Sequence, residues 1–249
     1  MHAMGIDLGG SGFRLGVFDT ETGETVREVE AHRHGSSTAP EAVVAALVSV
    51  LGDMDWKGPM GIGFPGAVER NTILTAPNLG DAWCGFDLHA ALAAFHEGRL
   101  AVLNDADAVA EGERRFGQGH GNHSTVLTLT VGTGLGTTVH QDGSLVPNLE
   151  YGRLPHPSRA GVLEQHLSGK ARTEEGLSLE AWCLRFQEGL AFLEDLVSPT
   201  LVVLYGGVME HWEAIRPRLK SNAQLEPAQL LHCAGPLGAA AWVSDQAAD

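Results

Sequence analysis

The stretch that decides the fold is LAVLNDADAVAEGERRFG, residues 100–117, in which an apolar run ends at a polar pair and a helical pattern begins at once. Residues 101–103 predict a buried parallel strand, and residues 106–113 then follow helical spacing. Asn104 and Asp105 therefore stand at the carboxyl end of a strand, the edge at which open α/β sheets bind ligands. Asp105 is a candidate general base there. The alternative is that the pair simply caps the helix, since Asn and Asp are favoured capping residues.

The length and composition fit a folded protein of one large domain or two lobes. The 249 residues could form two lobes of roughly 100 to 130 residues each, with room for a sizeable core. Hydrophobic residues make up 43% and charged residues 19%, which is typical of globular chains. The 32 glycines exceed the ordinary usage of about 7% and indicate several glycine-rich turns.

The net charge and the cysteines limit the kinds of binding partner and the cellular compartment that we expect. A formal net charge of -15 disfavours nucleic acid and anionic membranes as partners, because both attract a surplus of Lys and Arg. The sequence shows neither an apolar run near the ~20 residues of a spanning helix nor a leader pattern. Cys84, Cys183 and Cys233 stand far apart without a CxxC pair, which favours a reducing compartment. We therefore expect a cytoplasmic protein with small-molecule partners.

The first glycine-rich turn follows an apolar strand near the start of the chain. Residues 4–8 and 13–18 predict the two strands of a hairpin, and the turn between them consists of Gly9, Gly10, Ser11 and Gly12. Backbone amides and a serine hydroxyl at such a turn can bind phosphate oxygens. Asp7 could hold a hydrated Mg²⁺, and Arg14 could face the phosphates. An ordinary glycine hairpin is the alternative.

The same pattern recurs in the second half of the chain. A β-run at residues 124–131 is interrupted and resumes at residues 137–140, and the turn between consists of Gly132, Thr133, Gly134, Leu135 and Gly136. This internal repeat predicts two lobes with facing phosphate turns around a nucleotide cleft. A further pair, Gly206 and Gly207, follows an apolar strand and opens a predicted helix through Leu219. Amides at that helix start could cradle phosphate, and a close helix–strand crossing explains the pair equally well.

Two further polar residues are candidates for binding a sugar. Asn78 lies in a loop before Trp83, where its amide offers both a donor and an acceptor to a hydroxyl. An Asx turn is the alternative use of such a residue. Glu150 lies at the tip of a loop and is either a hydroxyl acceptor or a solvated acid.

Five segments occur in the order found in the superfamily of sugar kinases, heat-shock proteins and actin. They are DLGGSGFR from Asp7, LNDAD from Leu103, VGTGLG from Val131, LYGGV from Leu204 and AGPLGAAA from Ala234. Within this superfamily, GIDLGG, GFPG, APN and ND, followed by GTGLG and Glu150, resemble the ROK family of sugar kinases and repressors over essentially the whole chain. The segments NLGDAW and LVPNLEYG, with a helix at residues 177–182, resemble its polyphosphate glucokinase branch.

This resemblance implies a two-lobed, actin-like (ribonuclease H-like) α/β fold with mixed sheets. It implies a small lobe at residues 1–106, completed by a helix at residues 235–249, and a large lobe at residues 107–234. It also implies transfer of a phosphoryl group from polyphosphate or ATP to a hexose hydroxyl, by default that of glucose C6. A homodimer is expected.

The resemblance also assigns roles to the candidate residues. Asp105 would be the base, and Asn78, Asn104 and Glu150 would hold the sugar. Asp7 and the glycine turns would handle Mg²⁺ and the phosphates of the donor.

One position departs from the family pattern. The family has Glu-x-Gly-His where this chain has Glu150-Tyr151-Gly152-Arg153, and the resemblance implies that the His helps to hold the sugar near its anomeric end. Arg153, placed in the sugar site, indicates a different or anionic sugar, or a catalytically weak relative. A non-enzymatic sugar sensor or repressor is therefore the competing function, and the acidity of the chain counts against DNA binding.

The phosphoryl donor is the second open choice. Polyphosphate would need a basic path on this acidic chain, and two clusters are candidates for it: Arg159, Lys170 and Arg172, or Arg216, Arg218 and Lys220. Each cluster could equally be an ordinary solvated face.

Overall fold

The computed structural model describes residues 1–121 and 124–246 and divides the chain into two compact units. Unit 1 contains residues 1–116 and the segment from His232 onward, and unit 2 contains residues 117–231. The division differs from the expected boundaries after residues 106 and 234, because helix α3 (Asp105–Phe116) packs along helix α8 (Ala234–Asp245) within unit 1. Residues 247–249 of the expected terminal helix lie outside the described residues.

Unit 1 is built on a five-stranded mixed sheet. Its strands are β1 (His2–Leu8), β2 (Gly12–Asp19), β3 (Thr25–Arg33), β4 (Met60–Phe64) and β7 (Leu100–Asn104). Strands β1 to β3 form an antiparallel meander, and β1, β4 and β7 run parallel, in the order β3-β2-β1-β4-β7. The remaining elements are α1 (Pro40–Met54), β5 (Val68–Glu69), β6 (Thr72–Ile73), a 3-10 turn (Asp81–Trp83) and α2 (Leu88–Ala91).

Unit 2 has a sheet of its own, again with five strands. They are β8 (Thr125–Val131), β9 (Leu135–Gln141), β10 (Ser144–Val146), β11 (Leu201–Tyr205) and β12 (Gln224–Pro227). The helices are α4 (Glu164–Leu167), α5 (Gly169–Glu174), α6 (Leu179–Val197) and α7 (Trp212–Ile215). The 3-10 turns are Tyr151–Arg153, Gly207–His211, Arg216–Arg218 and, at the unit boundary, Leu231–Cys233.

The two sheets share one topology. In unit 2 the order is β10-β9-β8-β11-β12, with β8 to β10 antiparallel and β8, β11 and β12 parallel. Each sheet is therefore a three-stranded meander extended by two parallel strands, which confirms the predicted internal repeat and the mixed α/β class. Each unit also has its own apolar core, around Phe64 and Trp83 in unit 1 and around Trp182 and Phe186 in unit 2. No helix in the described ranges is both long and apolar enough to cross a membrane.

Glycines let α8 pack closely in unit 1. A Cβ on Gly5 of β1 would overlap the backbone oxygen of Pro236, and a Cβ on Gly238 of α8 would overlap the backbone oxygen of Ala108 in α3. No side chain larger than hydrogen fits at either position, so backbone meets backbone. This packing fixes the end of β1 and the start of α3 relative to each other.

Candidate active site

The first glycine turn has the predicted hairpin geometry. Asp7 pairs with Arg14 across β1 and β2, and the Gly9 N–H donates to the Gly12 carbonyl at 2.8 Å. A Cβ on Gly12 would overlap the backbone oxygen of His32 in β3, so only glycine fits there. The tip of the turn, at Gly10 and Ser11, is exposed, which leaves its backbone open to a ligand.

A histidine directly after β3, which was not among the predicted site residues, holds this turn in place. The buried His34 contacts the Gly9 carbonyl oxygen through Nε2 at 3.1 Å and the Ser37 carbonyl oxygen through Nδ1 at 3.1 Å. Each ring nitrogen faces a carbonyl oxygen, so whichever nitrogen carries the proton donates to one of the two segments. A lone His in a polar loop gives no sequence signal for this role, since the contact depends on tertiary packing.

Asp7 lies at the carboxyl end of β1 in a closely packed environment. Burial raises the pKa of its carboxyl group, and the Arg14 guanidinium opposes that effect. A Cβ on Gly235, in the first turn of α8, would stand 3.0 Å from Asp7 Cγ. A carboxylate whose charge is disfavoured by burial is stabilised by a cation, so Asp7 fits as the protein ligand of Mg²⁺. Over the described ranges no three His, Cys or acidic side chains form a metal-binding group, and Mg²⁺ commonly takes its other ligands from water and phosphate.

Asn104 and Asp105, at the start of α3, have different roles. Asn104 caps the helix: its Oδ1 accepts from the Asp107 N–H at 3.0 Å, while its Nδ2 donates to the Gly66 carbonyl at 3.1 Å. The capping interpretation therefore holds for Asn104, which is buried. Contact between Asn104 and a sugar stays a prediction, and it would use the remaining amide hydrogen or oxygen lone pair.

Asp105 is the first residue of α3 and keeps part of its surface exposed, whereas its neighbours over residues 101–110 are buried. Its Oδ1 accepts from the adjacent Ala106 N–H at 2.9 Å. The positive end of the helix dipole favours a charged carboxylate at this position. These features suit a proton acceptor better than a capping residue alone.

Asp7 and Asp105 lie at the same edge of the sheet. Gly63 of β4 pairs in register with Asp7 of β1, and a Cβ on Gly63 would stand 3.5 Å from Asp105 Cα. The two acids, far apart in the sequence, thus flank one glycine at the carboxyl ends of parallel strands. That edge is where this class of sheet binds ligands.

Asn78 lies beside the first glycine turn. It belongs to a tight turn in which the Gly80 N–H donates to the Ala76 carbonyl at 2.8 Å, and its side chain is exposed. A Cβ on Gly10 would stand 3.8 Å from the Asn78 carbonyl oxygen. Within the part of the chain that the structure describes, the Asn78 amide makes no hydrogen bond, so the Asx-turn alternative is not observed.

Unit 2 carries the second glycine turn, between β8 and β9. The Gly132 N–H donates to the Gly134 carbonyl at 3.1 Å, and the Lys170 N–H at the start of α5 donates to the Gly132 carbonyl at 3.1 Å. A Cβ on Gly134 would stand 2.9 Å from Glu164 Oε2. Gly132 and Thr133 are exposed, and Gly136 continues into β9.

The loop that bears Glu150 is fixed to β9 by a buried threonine. The Thr137 hydroxyl donates to the Leu149 carbonyl at 2.6 Å and accepts from the Tyr151 N–H at 3.0 Å. One side chain therefore holds the residues on both sides of Glu150. The sequence gives no signal of this role of Thr137, because a threonine within a strand is an ordinary β residue.

Glu150 and Arg153 form an ion pair. Arg153 Nε lies 3.3 Å from Glu150 Oε2, with 48% and 41% of the two side chains exposed. Gly152 between them packs so tightly that a Cβ would overlap the backbone oxygen of Leu135. Arg153, the residue that departs from the family pattern, thus pairs directly with Glu150, the candidate acceptor for a sugar hydroxyl.

The segment after Gly206 and Gly207 differs from the single helix that was predicted there. It forms the 3-10 turn Gly207–His211, then α7, and then the 3-10 turn Arg216–Arg218. Pro217 has no backbone N–H to donate to a carbonyl four residues earlier, so the α-helical hydrogen bonding of α7 does not continue through it. Gly206 has φ 129°, and a Cβ there would overlap Val131 of β8, so a close crossing accounts for it. Phosphate binding by the exposed Gly207 stays a prediction.

Known proteins resemble this chain over nearly its whole length. The model of the ROK family matches residues 3–149. Polyphosphate glucokinase from Mycobacterium tuberculosis (strain ATCC 25177 / H37Ra) is 31% identical over 240 residues, which cover 96% of this chain and 90% of that protein.

Two crystal structures share the fold. The inorganic polyphosphate/ATP-glucomannokinase from Arthrobacter sp. strain KM has a TM-score of 0.89 and 32% identity, with 98% of each chain covered. A ROK family glucokinase from Streptomyces griseus, in complex with glucose and AMPPNP, has a TM-score of 0.81 and 24% identity, with 99% of this chain and 100% of that chain covered. The expected actin-like sugar kinase fold is confirmed by these likenesses. The matched family model and the extent of the identity establish that the chain belongs to the ROK family.

Proposed function

We propose that this protein is a glucokinase-like sugar kinase, which transfers a phosphoryl group from polyphosphate or ATP to a hexose hydroxyl, with glucose C6 as the default. The observation that most directly supports this function is that Asp7 and Asp105 lie on either side of Gly63, beside a glycine turn with an exposed tip. The names of its relatives, which are kinases of glucose or mannose that use polyphosphate or ATP, support the same activity.

Asp105 accepts the proton of the attacking sugar hydroxyl. A carboxylate serves as such a base when it is charged, reachable and held in position, and the first turn of α3 provides these conditions. The donor oxygen that bridged the transferred group leaves with the shortened donor. Because phosphoryl transfer involves little covalent work by the protein, positioning and electrostatics supply most of the acceleration.

The phosphates are bound by the exposed amides of the glycine turns, with Ser11, Thr133 and Arg14 as further donors. Mg²⁺ bound at Asp7 would supply positive charge that offsets the charge on the phosphoryl oxygens. Asp7 would hold that cation, since β1 and the first turn of α8 fix the position of its carboxylate.

Asn78, Asn104, Glu150 and Arg153 are proposed to select the sugar. Glu150 accepts from a sugar hydroxyl, and Arg153 competes for that acceptor through its ion pair. Arg153 therefore shifts preference toward a sugar that offers the guanidinium an acceptor of its own, such as a carboxylate or an additional oxygen. A sugar-binding protein without turnover is the competing function, because Arg153 stands where the family pattern has His.

The cytoplasm is the proposed location, since all three cysteines are free and both proposed donors are intracellular metabolites. The proposed assembly is a homodimer that binds the sugar, the phosphoryl donor and Mg²⁺ and has no nucleic-acid or membrane partner.

A matrix of donors and sugars assayed on the purified protein tests this function. The donors are ATP and polyphosphate at equal phosphate concentration, and the sugars are glucose, mannose, glucosamine, gluconate and glucuronate, each measured for product and for binding. We expect a sugar phosphate with at least one donor. Sugar binding without product from either donor would establish the sensor instead.

A further inference from the structure

Both backbone polar groups of Gly9, in the first glycine turn, are held by other parts of unit 1. The Gly9 N–H donates to the Gly12 carbonyl at 2.8 Å. The Gly9 carbonyl oxygen lies 3.1 Å from Nε2 of His34, whose side chain is buried. The contact with His34 therefore fixes the direction in which this carbonyl points.

The direction of the Gly9 carbonyl determines where the N–H of Gly10 points. No peptide bond in the described part of the chain is cis, and in a trans peptide the carbonyl and the following N–H point in opposite directions. The Gly10 N–H thus points away from His34. Among the described residues this N–H has no hydrogen-bond acceptor, and Gly10 is exposed. It is an open donor at the tip of the turn.

The peptide between Gly9 and Gly10 needs such a contact, because neither residue has a side chain that resists rotation. The peptide plane flips when ψ of Gly9 and φ of Gly10 each rotate by half a turn in opposite directions. Gly10 has a negative φ, so a flip would make that φ positive, which costs glycine little and other residues more. After a flip the carbonyl oxygen would replace the N–H at the tip and would repel phosphate oxygens.

The segment that carries His34 is itself held at its other end. Nδ1 of His34 lies 3.1 Å from the Ser37 carbonyl oxygen, and the Thr38 carbonyl accepts from Nε1 of Trp83 at 2.7 Å. Trp83 is fully buried and packs against Phe64, with the two ring centroids 5.2 Å apart. The imidazole therefore stands on a well-anchored segment, which lets it hold the glycine turn in one conformation.

We propose that His34 is a positioning residue for phosphate binding. Its Nε2–H holds the Gly9 carbonyl, so that the Gly10 N–H rather than a carbonyl oxygen faces a phosphate oxygen of the donor. This inference rests on the proposed function, in which the first glycine turn binds phosphate. It adds that a side chain outside the turn selects the orientation in which the turn can do so.

Two amide variants distinguish the two ring nitrogens of His34. The amide nitrogen of Gln can reach the position of Nε2, whereas that of Asn reaches only the position of Nδ1. One hydrogen bond to a charged group is at stake, so we expect kcat/KM for the phosphoryl donor to fall about 10-fold or more in His34→Asn. His34→Gln should recover most of that loss. The Kd for glucose, measured without donor, should be the same in both variants as in wild type.

His96→Asn is the matched control for stability. His96 is also buried, lies 3.0 Å from the His89 carbonyl oxygen through Nε2, and accepts from the Gly98 N–H at 3.1 Å through Nδ1. It precedes β7, whereas the candidate site lies at the opposite, carboxyl end of that strand. His96→Asn should lower the melting temperature and leave kcat/KM for the donor unchanged. An equal loss of kcat/KM in His96→Asn and His34→Asn would assign the effect to stability and overturn the inference.

Gly10→Ala tests the flip itself. A Cβ on Gly10 would stand 3.8 Å from the Asn78 carbonyl oxygen, so alanine fits the observed conformation, whereas a flip would place it at positive φ. When Gly10 is already Ala, the added change His34→Asn should therefore lower kcat/KM by less than about twofold. A loss of about 10-fold with either residue at position 10 would exclude the flip and overturn the inference.

Titration with tripolyphosphate and Mg²⁺, followed by the NMR signals of the glycine amides, separates this inference from the proposed function. The Gly10 signal, identified by its absence from Gly10→Ala, should shift in wild type and His34→Gln and much less in His34→Asn. That result supports the inference whether or not a sugar is phosphorylated. The same response in all three proteins overturns it and leaves the kinase standing. Absence of product with every donor overturns the kinase, and the titration still decides the role of His34.

Discussion

Asp7 lies directly against Gly235: a Cβ on Gly235 would stand 3.0 Å from Asp7 Cγ. Gly235 is the second residue of α8, so the carboxylate meets the positive end of a helix dipole. Arg14 acts in the same direction and lowers the pKa of Asp7, against the burial that raises it. The helix that completes unit 1 thus positions the proposed Mg²⁺ ligand and also favours its charged form.

Gly235→Ala should disturb that ligand without unfolding unit 1. The added methyl group displaces the Asp7 carboxylate by a few tenths of an ångström, and small misplacements of reactive groups are costly, so kcat should fall about 10-fold. The Mg²⁺ concentration for half-maximal activity should rise. Gly52→Ala, at an exposed glycine of α1 with open space around it, is the control and should leave both quantities unchanged. Wild-type Mg²⁺ dependence in Gly235→Ala would separate Asp7 from the metal.

Asp105→Asn should lower kcat by about 10²-fold or more, because the amide cannot accept the hydroxyl proton. Sugar binding and the melting temperature should stay near wild type, since Asn is also accepted in the first turn of a helix. Asp142→Asn makes the same chemical change in the hairpin between β9 and β10 and should leave turnover intact. Near-normal turnover of Asp105→Asn would remove Asp105 from the role of base.

Arg153→His should raise kcat/KM for glucose about fivefold to 10-fold. The change removes the cation that lies 3.3 Å from Glu150 and restores the residue of the family pattern. Arg153→Gln, which frees Glu150 without supplying an imidazole, should give a smaller gain, and the two variants together separate these effects. Selectivity among sugars is measured as the ratio of kcat/KM values. A loss for glucose in both variants would show that Arg153 itself binds that sugar.

Glu188→Gln should destabilise the protein in a pH-dependent way. Hydrogen bonds from Arg159 and Ser158 lower the pKa of Glu188 to about 2 from its ordinary 4.5. A carboxyl group with a lowered folded-state pKa stabilises the fold above its ordinary pKa, and this contribution is lost as pH falls from about 4.5 through about 2. With 37% of the side chain exposed, solvent screening keeps the contribution at or below about 1 kcal/mol.

Urea unfolding at a series of pH values measures that difference. The gap in unfolding free energy between wild type and Glu188→Gln should be constant near neutrality and close as the pH approaches 2. Glu69→Gln, an exposed position of β5, should show no such gap. A gap that persists unchanged at the acid end would assign the effect to packing rather than to charge.

Local patterns allowed much of the site to be predicted. The alternation of apolar residues around Gly9 and Gly132 predicted both hairpins, and the change of period at Asn104 predicted the strand–helix junction. These features depend on residues close together in the chain. The pair Gly206 and Gly207 showed the limit of the same reasoning, because the pattern after it did not reveal that Pro217 and the packing of β8 break the helix.

Contacts between distant segments could not be read from one sequence. The contact of Gly235 with Asp7 depends on the packing of α8 within unit 1. The hydrogen bond from Thr137 to the loop that bears Glu150 depends on how β9 faces that loop. The division of roles between Asn104 and Asp105 likewise depends on the structure, which shows that the Asp107 N–H donates to the Asn104 side chain. Periodicity identifies elements and their apolar faces, but it does not give the register of two elements in space.

The return of α8 to unit 1 has a consequence for synthesis of the chain. The ribosome delivers residues 1–116 first, yet the place of α8 against β1 stays vacant until the segment from His232 has emerged. Residues 117–231 are contiguous and can complete their sheet before that moment. The first half to be translated is therefore the last to mature, and a nascent chain stalled before residue 232 would present an uncovered apolar surface to chaperones.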